Sequence, residues 1–374
     1  MSTVVYKCPK CDAAITYNAK NGNFSCDFCM SSFTEQEVKD AWEKQLKTKE
    51  AAGNTSFSDT ENTQSSKDPE ENKKPESDSS EQFGTDANMY NCSQCGATLI
   101  TEATTSATFC SFCHNPAIIS TRLSGIFKPS KVIPFKIDKK TANDSFLSYL
   151  KGRPFLPKDF KQVAKRDKLS GIYTPFWLFD SHINVDLLAH AQKDTTYTSG
   201  KYRITDHAHY NIERSAGMDF ENLPVDASVK MDDNLMSLIE PYNYAEMVDF
   251  NMSYLSGFLA EKYDEDEKTV FPRAKKRFDS YGEKLTRDTI YGYTSVNVTS
   301  KNVNLSGTKS QYALLPVWIM NYKYKKKDYM FAINGQSGRM VGKLPISFAR
   351  MTAWFFGCFG ALSILFLLGR FLAK

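Results

Sequence analysis

Two matched sets of paired cysteines, a long aromatic-rich stretch with period-two hydrophobicity and one uncharged run near the C-terminus predict the fold class. It comprises two small four-cysteine zinc ribbons, an α+β domain of mostly antiparallel β-structure, and one C-terminal transmembrane helix. The chain has 374 residues, a length that suits two or three domains. With 41% hydrophobic and 24% charged residues it is not a wholly disordered chain. The net charge of +4 is too small to mark a nucleic-acid binder by itself. It also conceals a segregation. Lys47 to Asp86 holds ten acidic residues against five Lys, so the rest of the chain carries about +9 by subtraction.

Eight of the nine cysteines fall in four Cys-x-x-Cys pairs. No apolar segment follows Met1 as a secretory signal would, so the thiols are expected in a reducing cytosol, as metal ligands and not disulfides. Cys8, Cys11, Cys26 and Cys29 form one set, and Cys92, Cys95, Cys110 and Cys113 the other; each reads C-x2-C-x14-C-x2-C. Two residues between cysteines allow a tight turn that brings both sulfurs to one ion, with knuckle amides donating to the thiolates. Two such knuckles on a hairpin make a tetrahedral site of four sulfurs. The sets also match at Tyr6 and Tyr90, Ala13 and Ala97, Ile15 and Leu99, and Phe28 and Phe112. Ile15 or Leu99, with the phenylalanine between the last two cysteines, is expected to supply each small core. So small a module owes most of its folding energy to the metal. A redox Cys-x-x-Cys would need a thioredoxin-like βαβ context, which is absent. An iron–sulfur site also takes four cysteines, so spacing leaves iron open beside Zn2+. His114, directly after Cys113, is read as a neighbour because four sulfurs already fill its site. A site closed by four thiolates is structural, not catalytic.

Residues 1–46 form the first ribbon with a short helix over Thr34 to Leu46. Thr34 and Glu37 are spaced as a capping box, and Val38, Ala41, Trp42 and Leu46 make one apolar stripe that packs on the cysteine module. Residues 47–88 are an acidic, disordered linker spanning about 35 Å as a coil, which places the first module on a tether. Residues 89–120 are the second ribbon.

Residues 121–349 are the α+β domain. Ile172 to Gln192 alternates as a strand or strand pair, with Ile183, Val185, Leu187, Ala189 and Ala191 on one face, and Tyr202 to Arg214 is similar. Lys139 to Leu150, Asp232 to Ile239 and Glu267 to Leu285 read as helices. Asn297 to Leu305, Tyr312 to Tyr324, Tyr329 to Ile333 and Arg339 to Lys343 read as a meander with turns at Lys325–Asp328 and Asn334–Gly338. Asn334 and Gly335 both tolerate positive φ, which marks the second turn. Pro175-Phe-Trp-Leu-Phe-Asp180 resembles Pro316-Val-Trp-Ile-Met-Asn321, an echo that suggests two related halves sharing a sheet.

Residues 350–370 are the span. Met351 to Gly369 is free of charge and about 28 Å long as a helix, close to bilayer thickness. Trp354 lies near one interface, and Arg350, Arg370 and Lys374 can snorkel. Cys358, inside the span, reads as packing against lipid or protein. A span so near the end implies a single-pass, tail-anchored protein with cytoplasmic N-terminal domains.

The N-terminal part resembles TFIIB-type zinc ribbons. The whole chain is similar to the YdjG-like bacterial zinc-ribbon membrane proteins, on two ribbons, an acidic linker, Pro175–Asp180, Leu315–Trp318, Asn334–Gly338 with Gly342 and Pro345, and one terminal span. Members are often labelled primosomal or helicase-like. The resemblance implies a membrane-bound scaffold linked to phage-shock and SPFH-type membrane-stress systems.

The helicase label has no support in the residues, since neither Gly200-Lys201 nor Gly342-Lys343 lies in a Walker A motif. There is no G-x-S-x-G and no H-E-x-x-H. His207 and His209 share a face of one strand, and His182 and His190 lie on another; without a carboxylate cluster they read as structural. Lys275–Arg277 and Lys323–Lys327 are basic clusters. Tyr322, Tyr324 and Tyr329 offer stacking for nucleic acid, while solvent-exposed turns or contact with anionic lipid are the other readings. The expected function is a non-enzymatic, membrane-anchored adaptor that recruits protein partners and has no small-molecule substrate. The alternative is nucleic-acid or transcription-machinery binding through the ribbons.

Overall fold

The computed structural model describes residues 3–52, 87–111, 113–163 and 169–372. Residues 53–86, most of the expected linker, lie outside the described residues.

The first cysteine module folds on strands β1 (Thr16–Asn18), β2 (Asn23–Ser25) and β3 (Ser32–Phe33), followed by helix α1 (Glu35–Ala52). The capping box forms: Glu37 Oε2 accepts from the Thr34 amide at 2.8 Å, and Thr34 Oγ1 from the Glu37 amide at 3.4 Å. The helix runs six residues beyond the expected Leu46. Val38 is buried and Trp42 packs on Tyr6 with ring centroids 4.9 Å apart, so the stripe does cover the module. Phe28 does not join the core and is 81% exposed. The middle of a knuckle turns away from the sulfurs it presents, and Phe24, Phe33 and Ile15 fill the interior instead. Phe112 lies outside the described residues.

The second module is β4 (Ala87–Asn91), β5 (Thr98–Glu102), β6 (Thr105–Phe109) and β7 (Pro116–Ile118). The main domain adds β8 (Lys131–Val132), α2 (Lys139–Lys151), α3 (Lys158–Val163), β9 (Ser170–Ser199), β10 (Tyr202–Asp226), α4 (Asp233–Leu238), β11 (Val248–Asp249), β12 (Leu259–Glu261), α5 (Glu267–Asp288), β13 (Ser295–Tyr324), β14 (Lys327–Asn334) and β15 (Met340–Gly342). One sheet runs β11-β8-β13-β9-β12-β6-β7, with β10 on β9, and with β14 then β15 on β13. The second module is thus continuous with the main sheet through β6 and β12.

The first module is docked, where a tethered one was expected. Val4 bridges to Ile118 of β7, and the Thr3 amide donates to the Asn91 carbonyl at 3.1 Å. The Tyr17 amide donates to the Ser256 carbonyl at 2.9 Å, and the Tyr17 ring packs on Tyr254 at 5.3 Å. Tyr254 also donates its hydroxyl to Glu35 of α1 at 2.6 Å. Buried aromatic area outweighs the loop entropy of a linker, because that entropy grows only with the logarithm of linker length.

β9 and β13, each of 30 residues, form the spine. The expected strands 297–305 and 312–324 are one strand, joined through a bulge between Ser306 and Lys309 where Gly307 adopts φ +64°. The two proline–tryptophan motifs lie side by side in this antiparallel pair, with Tyr173 opposite Pro316 and Pro175 opposite Leu314. Elements repeat in order around them: a short strand, a helix, a long strand and its hairpin partner (β8-α2-β9-β10, with α3 inserted before β9, then β12-α5-β13-β14). Each short strand runs parallel to the long strand of the opposite half, β8 on β13 and β12 on β9. Each helix opens with the same cap, Asp138 accepting from the Thr141 amide and Asp266 from the Thr269 amide, both at 2.8 Å.

The second meander turn forms, but by a different device. Only Gly338 there has a left-handed φ, +75°. Asn334 acts through its side chain: Oδ1 accepts from the Gln336 and Ser337 amides at 2.9 Å, and Nδ2 donates to the Ile239 carbonyl at 3.0 Å. Gly335 is needed for close approach, since a Cβ there would stand 2.6 Å from Phe135 and 2.8 Å from Pro316.

Helix α6 (Phe348–Leu372) is the last element. Its first 19 residues are long and apolar enough to cross a membrane, and none of that stretch is buried in the protein. At its foot it meets the domain, where Trp354 packs on Phe155 and Arg350 donates to the Leu156 carbonyl. Cys358 is exposed on it.

Candidate metal centres

Four knuckles of the same geometry build the two centres. In each, the amide of the first cysteine donates to the carbonyl five residues on: Cys8 to Ala13, Cys26 to Ser31, Cys92 to Ala97 and Cys110 to Asn115, at 2.7–3.0 Å. The residue after the second cysteine returns a bond to the first cysteine's carbonyl, and it is left-handed every time. Asp12, Met30, Gly96 and His114 have φ of 63°, 56°, 75° and 56°. That explains His114 as the residue that turns the chain. The sequence reading took His114 as a neighbour of the site and missed its turn role, although Gly96 is the natural signal of that role.

The turns converge the sulfurs. Cys8 and Cys29 Sγ are 3.5 Å apart, as are those of Cys11 and Cys26. In the second set Cys92 and Cys113 are 3.8 Å apart, and Cys95 and Cys110 3.7 Å. All four sulfurs of each set lie within 4.8 Å of one another. A disulfide would need about 2.05 Å. Tetrahedral ligands about 2.3 Å from one ion lie about 3.8 Å apart, so each set can hold a metal ion. The eight cysteines named from the spacing are the eight that the fold brings together. The Lys10 amide points at Cys8 Sγ at 3.4 Å.

The thiols titrate unequally. The Ser31 hydroxyl and amide draw Cys29 down to about 6, helped by neighbouring thiols. At Cys11 the Ala13 backbone bond lowers the value, but burial and three neighbouring sulfurs outweigh it and push the thiol up to about 12. Burial, then the same crowding, lifts Cys113 to about 12. Four sulfurs this close cannot all be anionic without a cation between them.

Thr3 joins the two centres, its Oγ1 accepting from the Ser93 amide inside the second set's first knuckle at 3.1 Å. Arg122, which sequence reading passed over, closes the loop between β5 and β6 by donating to the Glu102 and Thr105 carbonyls, with its guanidinium 5.1 Å from the Tyr90 ring.

The other sequence candidates do not converge. His182, His190, His207 and His209 occupy one face of the β9–β10 sheet. His182 lies opposite Asp219 and His207 opposite Asp194, twelve residues further along β9, so they are about 40 Å apart. Asp219 meets His182 Nδ1 at 2.7 Å and raises its pKa; Asp194 meets His207 Nδ1 at 2.6 Å. Arg277 of the first basic cluster is committed to Glu240 at 2.6 Å. Tyr322 and Tyr324, which the nucleic-acid reading would use as stacking platforms, are buried against Phe160. Alternation in β13 turns them to the core while Lys323 between them faces solvent.

No protein-family model and no solved structure matches the chain. It is 41% identical over 244 residues to the uncharacterized protein YdjG of Bacillus subtilis (strain 168). That match covers 65% of this chain and 72% of the relative. At that identity over so much of the relative's length, the chain belongs to the YdjG family.

Proposed function

We propose that this protein is a membrane-anchored scaffold whose two centres are TFIIB-type zinc ribbons holding structural Zn2+, and whose head recruits protein partners at the cytoplasmic face of the membrane. Supporting a single ion such as zinc, all four sulfurs of each set lie within 4.8 Å of one another, closer than thiolates on the separate irons of a cluster would stand. The observation that carries the scaffold reading is that each centre is ringed by four sulfurs and both lie where the modules join the main sheet. A metal so enclosed fixes shape and leaves no coordination position for a substrate. The reading is therefore non-enzymatic, with proteins of a phage-shock or SPFH-type envelope-stress system as the partners implied by the sequence resemblance.

Deleting α6 tests it. The shortened protein should move to the soluble fraction and lose its effect in cells while keeping its metal. Full function of the soluble form would refute the scaffold.

A further inference from the structure

We propose that the cleft at the foot of α6 binds the headgroup of an anionic phospholipid. The proposal rests on α6 crossing the bilayer. The cleft has a volume of about 760 Å3 and is walled by the start of α3, the β13–β14 turn and the first turn of α6. Four cations line it: Lys158, Lys325, Lys327 and Arg350. Its one carboxylate, Asp159, accepts from the Tyr324 hydroxyl at 3.1 Å. Lys158, Lys325 and Lys327 are exposed, and Lys327 and Lys343 both line the adjoining cleft.

The turn itself is unusual. Lys325 and Lys326 have φ of 48° and 62°, the backbone of a two-residue hairpin turn that Asn-Gly makes without strain. Side chains with four methylenes at both positions hold two charges at the tip against the local preference of the chain. Backbone strain of this kind persists where a function holds it.

The occupant follows from what surrounds the charges. Ile346 and Phe348 belong to the cleft wall and are 62% and 74% exposed, and Trp354 continues the apolar surface down the helix. With α6 in the bilayer, its foot stands at headgroup level and the lysine turn beside it. A free phosphate would use the cations alone. A phospholipid uses both, its phosphate on the lysines and its acyl chains along Phe348 and Trp354. Each basic group near an anionic surface strengthens binding about fivefold.

The test is native mass spectrometry of the full-length protein in detergent, offered equal phosphatidylglycerol and phosphatidylcholine. The comparison protein is K325N/K326G/K327S, whose Asn-Gly turn relieves the strain, so its melting temperature should not fall. The wild type should retain phosphatidylglycerol at least tenfold over phosphatidylcholine, and the variant, left with Lys158 and Arg350, should lose most of that preference. Equal preference in both proteins would overturn the proposal, as would removal of the bound lipid by millimolar inorganic phosphate. Alkaline carbonate extraction of native membranes separates the underlying reading: release of the protein would refute the span and the proposal with it, whereas retention without lipid preference would refute the proposal alone.

Discussion

Trp318 and Trp177 make the same bond to opposite halves of the domain. The Trp318 indole donates to the Ile137 carbonyl at 2.9 Å, and the Trp177 indole to the Glu265 carbonyl at 3.1 Å. Each carbonyl directly precedes the aspartate that caps a helix, Asp138 for α2 and Asp266 for α5. Each indole also packs on the aromatic ring three residues before that cap, Phe135 at 5.1 Å and Tyr263 at 5.3 Å. The halves are latched by exchange, since each tryptophan holds the other half's helix.

Replacing either indole by phenylalanine removes the donor and leaves a carbonyl unpaired. W318F and W177F should each cost about 1–3 kcal/mol, W318F more because Trp318 is only 5% exposed. Thermal unfolding of the full chain in detergent measures it.

The turn at Asn334 gives a sharper contrast. If a left-handed backbone were its contribution, glycine would serve as well. Because the buried side chain makes the bonds, N334G should destabilise as much as N334A, by about 2–4 kcal/mol. Equal stability of N334G and wild type in the same melts would contradict this.

Much of this was legible in the sequence. The cysteine sets announced themselves because metal geometry fixes spacing, and the capping box at Thr34 because its bonds are local. The proline–tryptophan echo suggested two related halves, and Phe135-x-x-Asp138-x-x-Thr141 with Tyr263-x-x-Asp266-x-x-Thr269 would have strengthened it. What stayed hidden was non-local. Docking of the first module depends on Tyr17 meeting Tyr254, residues whose contact no periodicity reports. Fusion of the strands in β13 depended on a bulge, which interrupts the alternation that reveals a strand.

Asp226 should make stability depend on pH. It is 4% exposed, and neither carboxylate oxygen has a hydrogen-bond partner among the described residues. Burial, then repulsion from Asp233, pushes its pKa up to about 7 against the attraction of Arg273. The folded state therefore holds this proton more tightly than the unfolded chain. Its contribution is full below about pH 4 and is lost as pH rises through about 7. D226N should be more stable than wild type at pH 8, by on the order of 2–4 kcal/mol, with the gap narrowing as pH falls and closing near pH 4. Melting curves at the two pH values decide it.

Metal removal should loosen more than the modules. Chelation frees eight thiols to alkylation and breaks the scaffold of the knuckles, so the Val4–Ile118 bridge and the β6–β12 pairing should open with it. Hydrogen exchange should rise at Ile118 and Ala260 and stay unchanged in α5. Elemental analysis of the untreated protein should return two zinc ions per chain; iron would contradict the assignment.

The most direct test of the scaffold is affinity capture from detergent-solubilised membranes, comparing the intact protein with C92S/C95S. A metal-held recruiting head predicts discrete membrane partners with the intact chain and their loss with the variant, while α6 keeps both proteins in the membrane. The same partners recovered by both proteins would contradict it.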